Sequence, residues 1–396
     1  MPRRSSEEIR VVLCLFLVLF LGVADSQIVS PLLPAIRARV GRSSLEMGHL
    51  FTGYSLSAGL SVLIWGPLSD LFGRRRGLLA GLALFASGSC ISFLSATYGG
   101  ILGGRVITGM GASMLSLNTI SYAADFFPYA NRGWAMGSIF SSYFAALILG
   151  VPLGSLVGDA LGWNAVFGIS GILALLLAAL SIVLLPPPAG HAGEVRTPVS
   201  LIRHARVYLD FATSRGSLGA LVSSCLTSAG TTGFLAFVGI WLHDVFGKTS
   251  REISLVFLTS GAAALLASPF AGTLSDRFGK KLQFVCSNVV FALLLLVLPR
   301  LAWGVALFVV FCGISLCAAF RQGPMEALIT EVVPAATRGS FVALRNCFSQ
   351  LGIALAALAS GKLFDVSGYG AICLLCSALT LASAAGMTLL VRHEHL

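Results

Sequence analysis

The sequence predicts an all-α membrane protein with twelve transmembrane helices in two pseudo-symmetric six-helix bundles. Composition is the first reason. The 396 residues are 56% hydrophobic and only 11% charged, and the mean hydropathy is +0.90. Soluble globular chains carry about 25% charged residues, so two or three soluble domains, the default for this length, are excluded. The second reason is an internal repeat. Gly66-Pro67-Leu68-Ser69-Asp70-Leu71-Phe72-Gly73-Arg74-Arg75-Arg76 returns as Gly272-Thr273-Leu274-Ser275-Asp276-Arg277-Phe278-Gly279-Lys280-Lys281, with Asp70 and Asp276 206 positions apart. The same offset relates Asp125 and Arg132 to Glu331 and Arg338, and relates Asp159, Gly162 and Trp163 to Asp365, Gly368 and Tyr369. Three loops in one register over half a chain imply a duplicated unit.

A membrane-spanning helix needs about 20 mostly apolar residues. Such runs fall near 11–33, 45–68, 77–97, 100–124, 134–157, 164–185, 218–242, 252–274, 282–299, 303–329, 339–361 and 370–391. That gives an N-terminal bundle over 1–185, a linker over 186–217 and a C-terminal bundle over 218–396. The linker opens on Pro186-Pro187-Pro188. Leu201, Ile202, Val207, Tyr208 and Phe211 are mixed there with cations, which suggests an amphipathic helix on the membrane surface. The first run is read as a retained span rather than a cleaved leader, because removing it would break the six-plus-six repeat.

Lysine and arginine counting sets the expected orientation. Sixteen of the 26 lie on the side of the repeated loops, seven on the other and three (Arg105, Arg321 and Arg345) within spans. Both termini are therefore expected in the cytoplasm, with the chain in a bacterial inner or plasma membrane. Arg37, Arg39 and Arg42 are the exception, on the opposite side. The net charge of +10 is spread in short runs between apolar spans, without a basic stripe interleaved with aromatics, so nucleic acid is not an expected partner. The nine cysteines all fall in apolar runs without a His or acid at ligand spacing, and read as small apolar fillers.

The repeated loop resembles the G-x-L-x-D-R-x-G-R signature of the major facilitator superfamily, followed there by Arg or Lys, between that family's second and third helices. The second copy lies where the family has its weaker one. Leu71 departs from the pattern, standing where the family usually has Arg. The resemblance implies the major facilitator fold over the whole chain. It also implies an inner gate, in which Asp70 meets the start of the eleventh span near Gly339 and Asp276 the start of the fifth near Gly133. Arg74 would pair with Asp125, and Lys280 with Glu331. A carboxylate suits a helix N-terminus, where unpaired N–H groups and the helix dipole favour negative charge. The plainer reading is that the cations only set topology.

Ionisable groups at membrane depth cost about 2.5–3.5 kcal/mol each on insertion scales, so they point to function. Asp25 is expected about 12 Å and Arg105 about 8 Å from the outer ends of their spans. Arg105-Val106-Ile107-Thr108-Gly109-Met110-Gly111 resembles the R-x-x-x-G pattern of proton-coupled members, and Asp25 with Pro31 and Pro34 resembles the first span of the drug:proton antiporters. Burial disfavours a charged carboxylate and a nearby cation favours it. A pair that forms and breaks during the cycle would thus bind and release a proton; a fixed structural ion pair is the other reading. Arg321 is expected near the midplane, either as a ligand for an anionic substrate group or paired with an unplaced acid. Glu326 and Arg345 are expected to pair across spans ten and eleven. Gly150, Pro152, Gly154 and Gly158 resemble part of the fifth-span antiporter motif, with Val151 splitting its usual Gly-Pro; small-residue packing is the alternative. Tyr54, Asn118, Tyr143, Thr231, Thr232 and Gln350 are candidate cavity residues.

The function expected is secondary transport by rocking of the two halves, with lipid, protons and a small-molecule substrate as partners, no cofactor, and a monomer as the working unit. The leading expectation is proton-coupled export of drug-like or amphipathic molecules. Organic-anion transport with Arg321 as ligand, and a non-transporting receptor or scaffold, are the alternatives. A phosphate loop of the form G-x-x-x-x-G-K followed by Ser or Thr does not occur, and neither a hydrolytic triad nor a metal cluster supports an enzyme.

Overall fold

The computed structural model describes residues 5–186, 207–211, 213–331, 333 and 338–390. The side chains of Asp70, Asp276, Glu326 and Glu331 lie outside this description, as does most of the expected linker.

Helix α1 is Ser6–Val40, α2 Ser44–Phe72, α3 Arg74–Leu94 and α4 Tyr98–Phe126. Helix α5 runs in segments, Tyr129–Phe140, Ser142–Ala145, a π turn Ala146–Gly150 and Val151–Leu161; α6 is Trp163–Leu184. The second bundle has α7 Arg215–Phe246, α8 Ser250–Phe278, α9 Lys280–Val297 and α10 Val305–Glu331. Arg338–Leu390 contains α11 and α12, divided at Gly368, whose φ of 73° and ψ of −174° are not helical. Ten of the described helices are long and apolar enough to cross a membrane. One of these is the α11–α12 pair. Helix α4, rich in glycine and polar residues, completes the twelve.

The repeat is written into the backbone. The positive-φ glycines form three pairs at the 206 offset: Gly41 with Gly247, Gly73 with Gly279, and Gly162 with Gly368. Each lies at a sharp connection between helices, where a Cβ would be strained. The capping boxes Ser43–Glu46 of α2 and Thr249–Glu252 of α8 obey the same offset. Arg75 donates to the Ile182 carbonyl at the end of α6, and Lys281 donates to the Thr388 carbonyl near the end of α12, again 206 apart. Cations there satisfy free carbonyls and oppose the negative helix end. Part of the cationic cluster of each loop therefore ties its own bundle together.

We call the side of the two repeated loops the basic end and the other the far end. At the far end a single apolar core joins both bundles, with Ile28, Leu32 and Leu33 packed among Phe237, Ile240 and Trp241. Toward the basic end the buried cores of the described residues are separate: one holds Leu15, Leu78, Leu115 and Tyr122, the other Leu221, Phe284, Met325 and Phe341, with the half-buried Leu63 of α2 packed against the second. The halves thus close on each other at the far end.

Two expectations need correction. Helix α1 does not end near residue 33 but continues to Val40, because Pro31 and Pro34 are accommodated inside it. Asp25 therefore lies 15 residues, about 22 Å, from the end of its helix. Pro34 lacks the N–H that would bond the Ser30 carbonyl, and α7 packs Gly239 so close to this oxygen that a Cβ would overlap it. Phe211 also does not lie on a lipid surface. It is buried, with its ring 5.1 Å from that of Phe341. Leu201 and Ile202 lie outside the described residues.

Candidate functional site

The centre of the N-terminal bundle holds a buried ion pair. Arg105 Nη1 of α4 donates to Asp25 Oδ2 of α1 at 2.6 Å, and the two side chains are 2% and 0% exposed. The guanidinium lies over the Tyr54 ring of α2 at 4.3 Å, with Phe167 of α6 at 5.8 Å. Cation–π contact adds to the hold on a desolvated arginine. Close packing of α2 and α4 brings these groups together: a Cβ on Gly109 would overlap the Tyr54 carbonyl. Asp25 Oδ1 and Arg105 Nε have no hydrogen-bond partner. One carboxylate oxygen is thus held by the cation while the other keeps a free lone pair.

The C-terminal bundle has its own buried arginine. Arg321 of α10 is 2% exposed. Its Nη1 donates to Asn288 Oδ1 of α9 at 2.9 Å, its Nη2 donates to Thr231 Oγ1 of α7, and the guanidinium lies 4.2 Å from the Phe291 ring centre. The Thr231 hydroxyl in turn donates to the Thr227 carbonyl at 2.7 Å.

The other expected residues fall in several places. Asn118 is not a cavity residue. It is fully buried in the seam of α2, α3 and α4, where Ser69 Oγ donates to its Oδ1 and its Nδ2 donates to the Met114 carbonyl at 2.8 Å. Gly77 leaves the room it needs, since a Cβ there would stand 2.6 Å from Asn118 Oδ1. Tyr143, ahead of the π turn, is 41% exposed, its ring 6.2 Å from that of Phe140. Gln350 of α11 lies against Gly59 of α2, where an added Cβ would come within 2.9 Å of the Gln350 Cβ. Gly150 faces α1, and a Cβ on it would stand 2.7 Å from Ala24 Cβ. Pro152 removes the N–H that Ile148 would receive, and the helix widens there into its π turn.

At the basic end Arg74 lies 3.5 Å from Asp125 and donates to Ser69 Oγ at 3.2 Å. Lys280 opens α9. The contacts expected of Asp70, Asp276 and Glu331, and the Glu326–Arg345 pair, involve side chains outside the description; Arg345 donates to Asn346 Oδ1 at 2.9 Å.

The far end carries contacts that sequence reasoning missed. Asp365, at the end of α11, accepts the backbone N–H groups of Ser44 and Leu45 at 3.2 and 3.0 Å, which begin α2 in the other half. Its repeat partner Asp159, at the end of α5, accepts the Arg251 N–H at 3.2 Å, where α8 begins. Arg37 and Asp244 join α1 to α7 at 2.5 Å. Ser30 and Thr52 donate to carbonyls of Leu235 and Ala354 in the opposite half at 2.7 and 2.9 Å. The repeat had marked Asp159 and Asp365, but their partners are main-chain groups with no residue signature.

The profile of the Major Facilitator Superfamily matches residues 15–247 and 220–396. The chain belongs to this family. It is 25% identical over 343 residues to the MFS-type transporter YbcL of Bacillus subtilis (strain 168), covering 87% of this chain and 86% of that one. It is 27% identical over 380 residues to the MFS-type transporter YwfA of the same organism, covering 93% and 90%. Among solved structures, a D-xylose-proton symporter aligns with a TM-score of 0.82 at 19% identity over 98% of each chain. The inward open conformation of the xylose transporter XylE from E. coli aligns with a TM-score of 0.78 at 18% identity, over 97% of this chain and 96% of that one. As a family member the chain is a polytopic membrane transporter, not an enzyme, and works without a resident cofactor. Among the described residues there is no group of three or more metal-ligating side chains.

Proposed function

We propose that this protein exports small amphipathic molecules in exchange for protons, by alternating access between bundles 1–185 and 218–396 across linker 186–217. The observation that carries the reading is the sequestered Asp25–Arg105 pair with its one unpartnered carboxylate oxygen. A charge pair is kept in the membrane interior at a cost, and a cycle that alternately protonates and re-pairs Asp25 makes use of it. Protonation at Oδ1 leaves Arg105 facing a neutral acid; deprotonation restores the attraction. The closed far end supports a cycle in which the site communicates with one side at a time. Proton coupling in the D-xylose-proton symporter of the same fold lends support. The export direction rests on Asp25 with Pro31 and Pro34, and on Gly150 with Pro152. In this reading the basic end is cytoplasmic and a monomer is the working unit. Asp70 and Asp276, with Arg74–Asp125 and Lys280–Glu331, hold the basic end shut in the opposite state.

The test is transport in proteoliposomes with an imposed pH gradient, on wild type and Asp25→Asn. Substrate flux should follow the gradient in the wild type and lose its pH dependence in the variant. Gradient-driven flux by Asp25→Asn would remove the proton role.

A further inference from the structure

The 206 offset superposes Asp25 of α1 on Thr231 of α7. In the N-terminal bundle Arg105 meets a carboxylate at that position; in the C-terminal bundle Arg321, ten residues beyond the repeat equivalent of Arg105 (Phe311), meets a hydroxyl there. We propose that Arg321, framed by Thr231 and Asn288, binds the negatively charged group of the transported molecule, an organic carboxylate, which takes the place that the Asp25 carboxylate fills beside Arg105. The proposal rests on the transporter reading and narrows its substrate class to organic anions.

Charge is the first argument. A guanidinium shielded from water needs a counter-charge or a full set of acceptors. Arg105 has its counter-charge. Both side-chain partners of Arg321 are neutral oxygens, and no described carboxylate forms an ion pair with it. Glu326 and Glu331 follow five and ten residues on along α10, and their side chains lie outside the described residues. The N-terminal pair is internally neutral, so among the described residues Arg321 is a buried cation without a counter-charge, which an anionic cargo would balance.

Geometry is the second argument. A guanidinium carries five N–H donors in a planar fork suited to a carboxylate. Two of these are committed to Asn288 and Thr231, which fix its plane, and Phe291 backs it at 4.2 Å. Thr231 and its neighbour Thr232 are half-buried where Asp25 is fully buried, so the position is more open in the C-terminal half.

The experiment is calorimetric titration and thermal unfolding of the purified full chain in neutral detergent at fixed pH. Benzoate is the probe, benzamide its neutral match and chloride the inorganic control. Benzoate should bind and stabilise the wild type, and benzamide should not. Arg321→Gln should weaken benzoate roughly tenfold to a hundredfold, the range of a hydrogen-bonded charge contact. Thr231→Asp installs the missing carboxylate; it should raise the unfolding temperature without ligand and abolish the benzoate response. The proposal is overturned if benzoate fails to bind, if benzamide matches it, if Arg321→Gln binds it normally, if chloride alone gives the full effect, or if Thr231→Asp is destabilised and still responds. Because no pH gradient is used, the two readings fail separately. Benzoate binding with gradient-independent transport sinks only proton coupling; proton-driven transport without benzoate binding sinks only this assignment.

Discussion

Replacing both Asp159 and Asp365 by alanine should open the far end. Asp365 receives two N–H groups from the first turn of α2 and Asp159 one from the first turn of α8, at 3.0–3.2 Å. Each carboxylate belongs to one half and its donors to the other, so these bonds exist only while the far end is closed. A side-chain cap at a helix N-terminus contributes about 1 kcal/mol, and the dipole adds several tenths for a charged group. Both sites are close to solvent, so the lower figures apply and the pair contributes about 2 kcal/mol. That favours the closed state by roughly 30-fold. The Arg37–Asp244 bridge, with side chains 25% and 32% exposed, adds little. The assay is pulsed electron–electron spectroscopy on spin labels at Ala38 and Val366, one on each half, with the nine native cysteines replaced. The double variant should move population from the short-distance to the long-distance component by about that factor. An unchanged distance distribution in a correctly inserted variant would refute the reasoning.

Three further outcomes follow from single sites. Asp70→Asn should leave the protein inserted but slow its transport, measured as initial rate per inserted molecule; a normal rate would remove the gate role of that loop. Gly239→Val should prevent the approach of α7 to the Ser30 carbonyl and populate far-end opening, because a Cβ there has no room. A short Ala38–Val366 distance in that variant would contradict this. Asn118→Leu should destabilise the N-terminal bundle by about 1–3 kcal/mol, since the buried Ser69 hydroxyl loses the acceptor of its proton and a branched apolar side chain must fit the polar seat against Gly77. Its unfolding temperature should fall while the pH dependence of transport stays; a change in coupling without loss of stability would show that Asn118 does line the transport path.

Much of this protein was legible because ionisable residues in apolar runs stand out. Asp25 and Arg105 were matched across two helices from their positions in the spans and from the family patterns that they resemble, and they are in contact. The end of the first helix was placed too early, near residue 33 instead of Val40. Arg321 was expected near the midplane and Thr231 among the cavity residues, but nothing in the sequence joined the two, and the second partner, the uncharged Asn288, was missed. Asn118 looked like a polar cavity group, whereas the small Gly77 opposite it makes a closed interhelical hydrogen-bonding seat.

The sequence by itself determined the membrane class, the twofold repeat and the short set of charges carried in oil. Each is a property of residue type and spacing, so no fold is needed to see it. Only the tertiary structure decided which end is closed and what holds it. The Asp159 and Asp365 carboxylates bind backbone N–H groups more than ninety positions away, and every residue but proline offers such a donor. Three-dimensional proximity alone distinguishes the ones that are used.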